Sequence, residues 1–232
     1  MQFSHHPDIW SRFPELAAGA LFVRGIHPRA DVRAPIERFH AIARERLAAL
    51  PSEGEWPEVN AWRRVFSRMG LKPTQYRCAS ESLLRRFRKE GDLPRIHPLI
   101  DLCNAASIAF GIPVAAIDVD HVAWPLQVRL AQGSESYVGL GGEAESPDTG
   151  EVSFIDADGR AHARRWTHRQ SALSAVRDST SSVLIVMEAV HATARKDVDA
   201  LAQALADAVA RSWQTTPEAA QLTNSTAAFA FG

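Results

Sequence analysis

Three groups of residues in this chain are of types and spacings that could do chemistry. The first is "ARRWTHRQS", residues 163–171. In an extended chain Trp166, His168 and Gln170 share one side, and Arg165, Thr167 and Arg169 share the other. An indole beside an imidazole and an amide could hold a nucleotide base or an aminoacyl group. The alternative is a surface strand with one buried tryptophan. The second group is Glu188, near the end of "VLIVMEAV" and on the same strand face as Val186. An acid there is costly unless paired or wet. It is either a site acid or a strand-end residue in solvent, and its position favours solvent. The third group is a basic run of Arg63, Arg64, Arg68, Lys72, Arg77, Arg85, Arg86, Arg88 and Lys89, in which Glu81 is the only acid. Dense positive charge on one face suits phosphate, so RNA or another polyanion is the expected partner. The alternative is two solvated helix faces that share no surface.

Other chemistry is less well supplied. The histidines show neither H-x-x-x-H nor H-E-x-x-H spacing, so no metal site is expected. Cys78 and Cys103 lack an evident base and read as small buried hydrophobes. "VGLGGEAESPDTGE" lacks the Lys-Ser/Thr ending of a phosphate loop and reads as a turn between strands. No motif calls for a cofactor. The net charge of −1 confines any polyanion binding to a local patch. Two cysteines, no secretory layout at the start and no apolar run of membrane length point to a reducing, cytoplasmic setting.

The elements that must position these residues follow from periodicity. Residues 34–50, 58–70, 79–91 and 97–111 read as four helices, with Ser80 expected to cap the third and Gly91 and Gly111 as stops. A strand is expected over Ala20–Ile26. The texture then turns to strands: "VAAIDVD", "LQVRLAQ", "SYVGL", a hairpin about Asp158-Gly159, and "SSVLIVMEAV". "DVDALAQALADAVARSW" is a closing amphipathic helix, and the residues from Gln214 are expected to be loosely held. The expected fold class is α+β, a mainly antiparallel sheet with flanking helices. The chain is expected to be one domain, 1–232, with a helical front to about 95, a sheet-rich pocket portion about 96–190, and a closing helix and tail.

One stretch resembles a known family. "IHPLIDLCNAASIAFGIPVAAIDVDHVAWPLQVRLAQGSESYVGLGG" is similar to the tRNA-binding and editing domain, the third and fourth structural blocks, of the bacterial phenylalanyl-tRNA synthetase beta subunit. The matched features are Ile100-Asp101 with Asn104, Gly111-x-Pro113, Asp118, "VRLA" and "LGG" with Gly141 and Gly142. Similarity continues to Ala189 and includes Thr180. "GLKPTQYR" and "RRWTHRQS" resemble phrases of freestanding versions of this domain.

The resemblance implies an α+β fold around a pocket that, in the synthetase, hydrolyses mischarged tRNA. A freestanding copy would act in trans, with charged or mischarged tRNA as partner and no DNA, membrane or cofactor. Asp118, Gly141, Gly142, Trp166, Gln170 and Thr180 are then the expected pocket residues. The pattern departs from the family at three places. Ala115 stands where a histidine is usual, Arg169 and Gln170 where two glycines are, and Val186 where the editing glutamate is. A rebuilt pocket would use His168, Arg169 and Glu188: Arg169 to steady an oxyanion, His168 or Glu188 to handle a water. The alternative is a module that binds RNA or an amino acid without chemistry. Asp101 and Asn104 are expected to brace their helix against the sheet, with Asp118 at the pocket rim.

Overall fold

The computed structural model describes residues 1–232. The chain opens with β1 (Gln2–His5) and α1 (Pro7–Arg12), then β2 (Ala17–Arg24), α2 (Arg33–Ala49), α3 (Pro57–Arg68), α4 (Ala79–Glu90) and α5 (Pro98–Phe110). Strands follow: β3 (Val114–Asp118), β4 (Leu126–Leu130), β5 (Tyr137–Val138), β6 (Ala144–Glu145), β7 (Val152–Ile155), β8 (Ala161–Arg164), β9 (Arg169–Gln170) and β10 (Ser182–Ala189). The chain closes with α6 (Ala194–Trp213), β11 (Glu218–Leu222) and β12 (Ala228–Ala230).

These strands make a six-stranded sheet, β12-β1-β4-β7-β8-β9, a four-stranded sheet, β11-β2-β10-β3, and the small hairpin β5-β6. Among the paired strands only β1 and β4 run parallel. The fold is therefore α+β and mainly antiparallel.

β10 explains the layering. Its odd residues Val183, Ile185 and Met187 pack with α2, α5 and α6, while its even residues Leu184 and Val186 face a second core that includes residues of the six-stranded sheet. A strand buried on both faces must be apolar throughout, which is why "VLIVM" shows no alternation. The period of two puts Glu188 on the same face as Leu184 and Val186, inside the core between the sheets. The beginning of α6 crosses β2 at Gly19, where a Cβ would lie 3.0 Å from Val198 Cγ1 and 3.2 Å from Met187 Cγ. A side chain there would push Val198 or Met187 back by a few tenths of an ångström, so glycine suits the close approach.

Several expectations are corrected. The tail from Gln214 is not loose: β11 pairs with β2 and β12 with β1, and Phe229 and Phe231 are buried. The alternation in "AAFAF" turns both phenyl rings inward. Residues 2–5, outside the elements expected from periodicity, form the strand that joins β12 to β4. Ser80 does not cap α4; Cys78 holds that position and Ser80 is buried in the first turn. Asp101 accepts from the Ile96 backbone at 2.8 Å, closing the approach to α5 rather than reaching a sheet, and the Asn104 side chain makes no hydrogen bond.

Candidate active site

The "RRWTHRQ" phrase is not an extended strand, contrary to the expectation. β8 ends at Arg164, and Arg165 and Trp166 both adopt left-handed backbone angles, φ 48° and 58°. Such angles cost non-glycine residues on the order of 1–3 kcal/mol each and persist only where surroundings hold them. Here the Arg165 N–H donates to Glu151 Oε1 at 2.8 Å and the Trp166 N–H to Val152 O at 2.7 Å. The sharp turn drives the indole into the inter-sheet core, edge-on to Phe13 and Trp62.

There Trp166 meets Glu188. Its Nε1–H donates to Glu188 Oε1 at 2.9 Å, and the same oxygen lies 2.7 Å from His5 Nε2. Glu188 is 2% exposed, so it is not a strand-end acid in solvent; β1 and the 165–168 turn cover it. An acid in that position must be paired, and these two donors supply the pairing. Glu188 Oε2 has no protein partner and the residue lines a cavity of about 60 Å³.

The cavity is walled by Ala79, Pro113, Val114, Ala115, Phe154, Ala163, Trp166, Thr167, His168, Arg169, Gln170, Val186 and Glu188. Ala115 and Val186 face each other across the β3–β10 ladder, with Glu188 two residues further along the same face. His168 Nδ1 is 2.7 Å from Arg77 O. A carbonyl only accepts, so Nδ1 carries the proton and Nε2 keeps its lone pair. Burial pushes the His168 pKa below the usual imidazole value, against the Arg77 carbonyl bond and helped by the nearby Arg165 and Arg169 charges. The ring is therefore neutral at pH 7, and its Nε2 has no protein partner. Gln170 donates to Ala116 O at 2.7 Å, which fixes its amide at the wall.

Arg169 is on the wall but not free. Glu143 and Glu145, from the β5–β6 hairpin, both hold its guanidinium. Gly141 and Gly142 sit in the turn of that hairpin, outside the cavity lining. Asp118 and Thr180 are also outside it. Thr180 Oγ1 donates to Asp118 Oδ2 at 2.6 Å, both buried, so the pair ties the end of β3 to the segment before β10. Asp118 pairs with Val183, three residues from the Val186–Ala115 rung, or about 10 Å along the strand. It is a clamp rather than a rim residue.

Most arginines of the basic run pair with acids, one of them the run's own Glu81. Arg63 and Arg77 turn onto buried Glu81, at 2.6 Å and 3.3 Å. Arg85 and Arg88 share Glu53, Arg86 pairs with Glu90, and Arg68 with Glu15. Arg64 bonds Asn60. Lys72 and Lys89 form no ion pair. Arg85, Arg86, Arg88 and Lys89 nevertheless line one open depression on α4, with Glu53 and Glu90. That patch keeps an excess of cations, while Arg63 and Arg77 are committed inward.

Two further groups are accounted for. Burial pushes the Cys78 thiol up to about 11 and the Cys103 thiol up to about 12, so neither is a nucleophile at neutral pH. Asp156, His162 and Ser174 form a Ser-His-Asp array, with His162 Nδ1 2.7 Å from Ser174 Oγ and Nε2 3.0 Å from Asp156 Oδ2. His162 and Ser174 are fully buried and no substrate could reach them. The array braces the β7–β8 hairpin loop.

The family model described as the B3/4 domain matches residues 61–213, more than half of the chain. The chain belongs to the B3/4 domain family. The match is wider than the stretch 96–189 from which the synthetase beta-subunit resemblance is read. It runs from within α3 to the end of α6 and includes every cavity residue. Among solved structures, an N-terminal fragment of the phenylalanyl-tRNA synthetase beta subunit from Pyrococcus horikoshii is similar, with a TM-score of 0.49 and 11% identity. That likeness covers 94% of this chain and 53% of the fragment, so this chain spans about half the fragment's length. No curated protein matches. In this B3/4 domain β1, which supplies His5, lies before the matched segment, and β12 lies after it.

Of the residues singled out along the chain, Trp166, His168, Arg169, Gln170 and Glu188 line the cavity, and Asp118, Gly141, Gly142 and Thr180 do not. Phe154 and Ala163 on the wall, and His5 against Glu188, are not singled out there. The alternation of Phe3 and His5 in "QFSH" is the signal that could have marked β1.

Proposed function

We propose that this B3/4 domain hydrolyses the ester of aminoacyl-tRNA in trans, and that it takes aminoacyl groups with small side chains. The observation that carries the proposal is Glu188: one carboxylate oxygen is fixed by His5 and Trp166, and the other has no protein partner and borders a cavity shared with the neutral His168. An aminoacyl ester is already activated, so positioning a water and taking its proton suffices for deacylation. Glu188 Oε2 would accept that proton and return it to the ribose oxygen as it leaves the acyl carbon. His168 Nε2, a lone-pair acceptor, would bind the α-ammonium or the free ribose hydroxyl. The acyl carbon would face the Ala115–Val186 rung. The α4 patch of Arg85, Arg86, Arg88 and Lys89, with Arg64, Arg68 and Lys72 on the α3 side, would meet the phosphates.

Size supports the substrate class. About 60 Å³ holds a few water-sized groups, far below the roughly 300 Å³ at which drug-sized pockets begin. An alanyl or seryl group fits with its water, whereas a tyrosyl ring meets Trp166 and Phe154. In a single-turnover panel, alanyl- and seryl-tRNA should lose their ester at least tenfold faster than tyrosyl- or phenylalanyl-tRNA. Equal rates, or a preference for the aromatic esters, would overturn the size argument.

Arg169 favours a second reading. Its clamping by Glu143 and Glu145 removes the obvious cation for an oxyanion. A module that binds aminoacyl-tRNA and shields its ester would show tight binding with no ester loss on any member of the panel.

A further inference from the structure

Three side chains from distant parts of the chain, none of them on the cavity wall, converge. They are Glu58 in the first turn of α3, His191 just after β10, and Asp197 in the first turn of α6. One ligand-type atom from each lies within 4.8 Å of the other two.

Two atoms in this cluster are buried without any partner. Glu58 is 8% exposed, and its Oε2 has no hydrogen-bond donor. His191 is 6% exposed, and its Nδ1 is likewise unpartnered. A buried carboxylate oxygen without a donor costs on the order of 1–3 kcal/mol or more, so such an atom calls for an occupant. The other atoms are already supported. Arg46 Nη2 donates to Glu58 Oε1 at 2.8 Å, and Thr193 Oγ1 and His191 Nε2 both lie within hydrogen-bond distance of Asp197 Oδ2. Carboxylates braced in this way on one oxygen, with the other free, are what a metal centre uses.

We propose that Glu58, His191 and Asp197 form a site for a first-row divalent cation of the Zn²⁺ or Mn²⁺ type. The donor set is one imidazole nitrogen and two carboxylates, which suits such ions and not the soft, thiolate-seeking ones. Two negative carboxylates balance the divalent charge. The Asp197 side chain, 31% exposed, lies on the solvent side, where water completes the shell. Metal–ligand distances of about 2.0–2.2 Å put tetrahedral ligands about 3.3–3.6 Å apart. The three atoms, which lie within 4.8 Å of one another, therefore close by up to about 1.5 Å on loading, mainly by movement of the exposed Asp197. His191 Nε2 would exchange its hydrogen bond to Asp197 for the metal, with the ring proton moving to the unpartnered Nδ1, and protons compete with the ion for the ring and the carboxylates, so affinity falls as pH falls. Histidine spacing along the chain could not show this site, because its members come from three separate elements.

The test uses the full chain, stripped with chelator and titrated with Zn²⁺ alone by calorimetry, with Co²⁺ absorption as a second readout. One equivalent should bind, with a Co²⁺ spectrum lacking a thiolate charge-transfer band. Glu58→Gln and Asp197→Asn should each weaken binding at least tenfold, and His6→Gln, a control for the exposed histidine near the chain start, should leave it unchanged. Circular dichroism checks each variant's fold, and Asp197→Asn decides if Glu58→Gln unfolds. No binding, binding retained in both site variants, or binding lost in His6→Gln would overturn the proposal.

Discussion

Trp166→Phe separates the hydrogen bond to Glu188 from ring packing. The variant keeps an aromatic ring against Phe13 and Trp62 but removes the Nε1–H that reaches Glu188 at 2.9 Å. A hydrogen bond to a charged, buried group is worth about 1.5–3 kcal/mol, and the lost portion of the indole adds a cavity cost of about 1 kcal/mol. The sum is about 2.5–4 kcal/mol. For a chain of this size that lowers Tm by roughly 5–15 °C. Trp62 is the internal control, because it is also 1% exposed and its Nε1 has no partner. Trp62→Phe should therefore cost only the ring volume, about 1 kcal/mol. Calorimetric unfolding of both variants, and of each combined with Glu188→Gln, gives the coupling directly. Trp166 and Glu188 should couple by at least 1 kcal/mol, and Trp62 and Glu188 by less than 0.5 kcal/mol. Equal costs for the two tryptophans, or no Trp166–Glu188 coupling, would refute the view that Glu188 is held in place by its donors.

Stability should fall on acidification below about pH 6.5, the ordinary histidine value. Burial lowers the pKa of His40, His97, His162 and His168, so below that value the unfolded chain binds more protons than the folded one. Glu135, Glu151 and Asp156 are also held below their usual range, by hydrogen bonds that outweigh burial, and they add a loss of the same sign at lower pH. Urea midpoints that stay constant from pH 7 to 5 would contradict this. Reversing Arg85 and Arg86 to Glu should weaken tRNA binding and flatten its dependence on salt by about one to two units of log–log slope. An unchanged slope would remove the α4 patch from the interface.

Much of this molecule is legible along the chain, and the parts that are not share a cause. Periodicity locates α2 to α6 and β10 because each buries a face whose spacing the residues must repeat. Gly91 and Gly111 mark helix ends because both take left-handed angles there. The cavity side chains are legible as types, yet their placement is not. Trp166 reaches Glu188 only because Arg165 and Trp166 leave the extended conformation, and Glu151, just before β7, holds that turn through the Arg165 N–H. Glu188 reads as exposed because the strand that covers it, β1, is short and lies at the start of the chain. The basic run reads as a large positive excess because sequence counts neighbours, whereas Glu15 and Glu53 reach the arginines through the fold. Asn104 stands in the matched pattern, and nothing in its surroundings explains the amide.

The central claim is that Glu188 acts on a water in this cavity. Single-turnover deacylation of alanyl- or seryl-tRNA by the native chain and by Glu188→Gln, with tRNA affinity measured on both, tests it most directly. Loss of a general base costs about 10²–10⁴ in rate, so the variant should bind as before and hydrolyse at least a hundredfold more slowly. A variant that deacylates at the native rate, or a native chain that binds these tRNAs and leaves the ester intact, would contradict it.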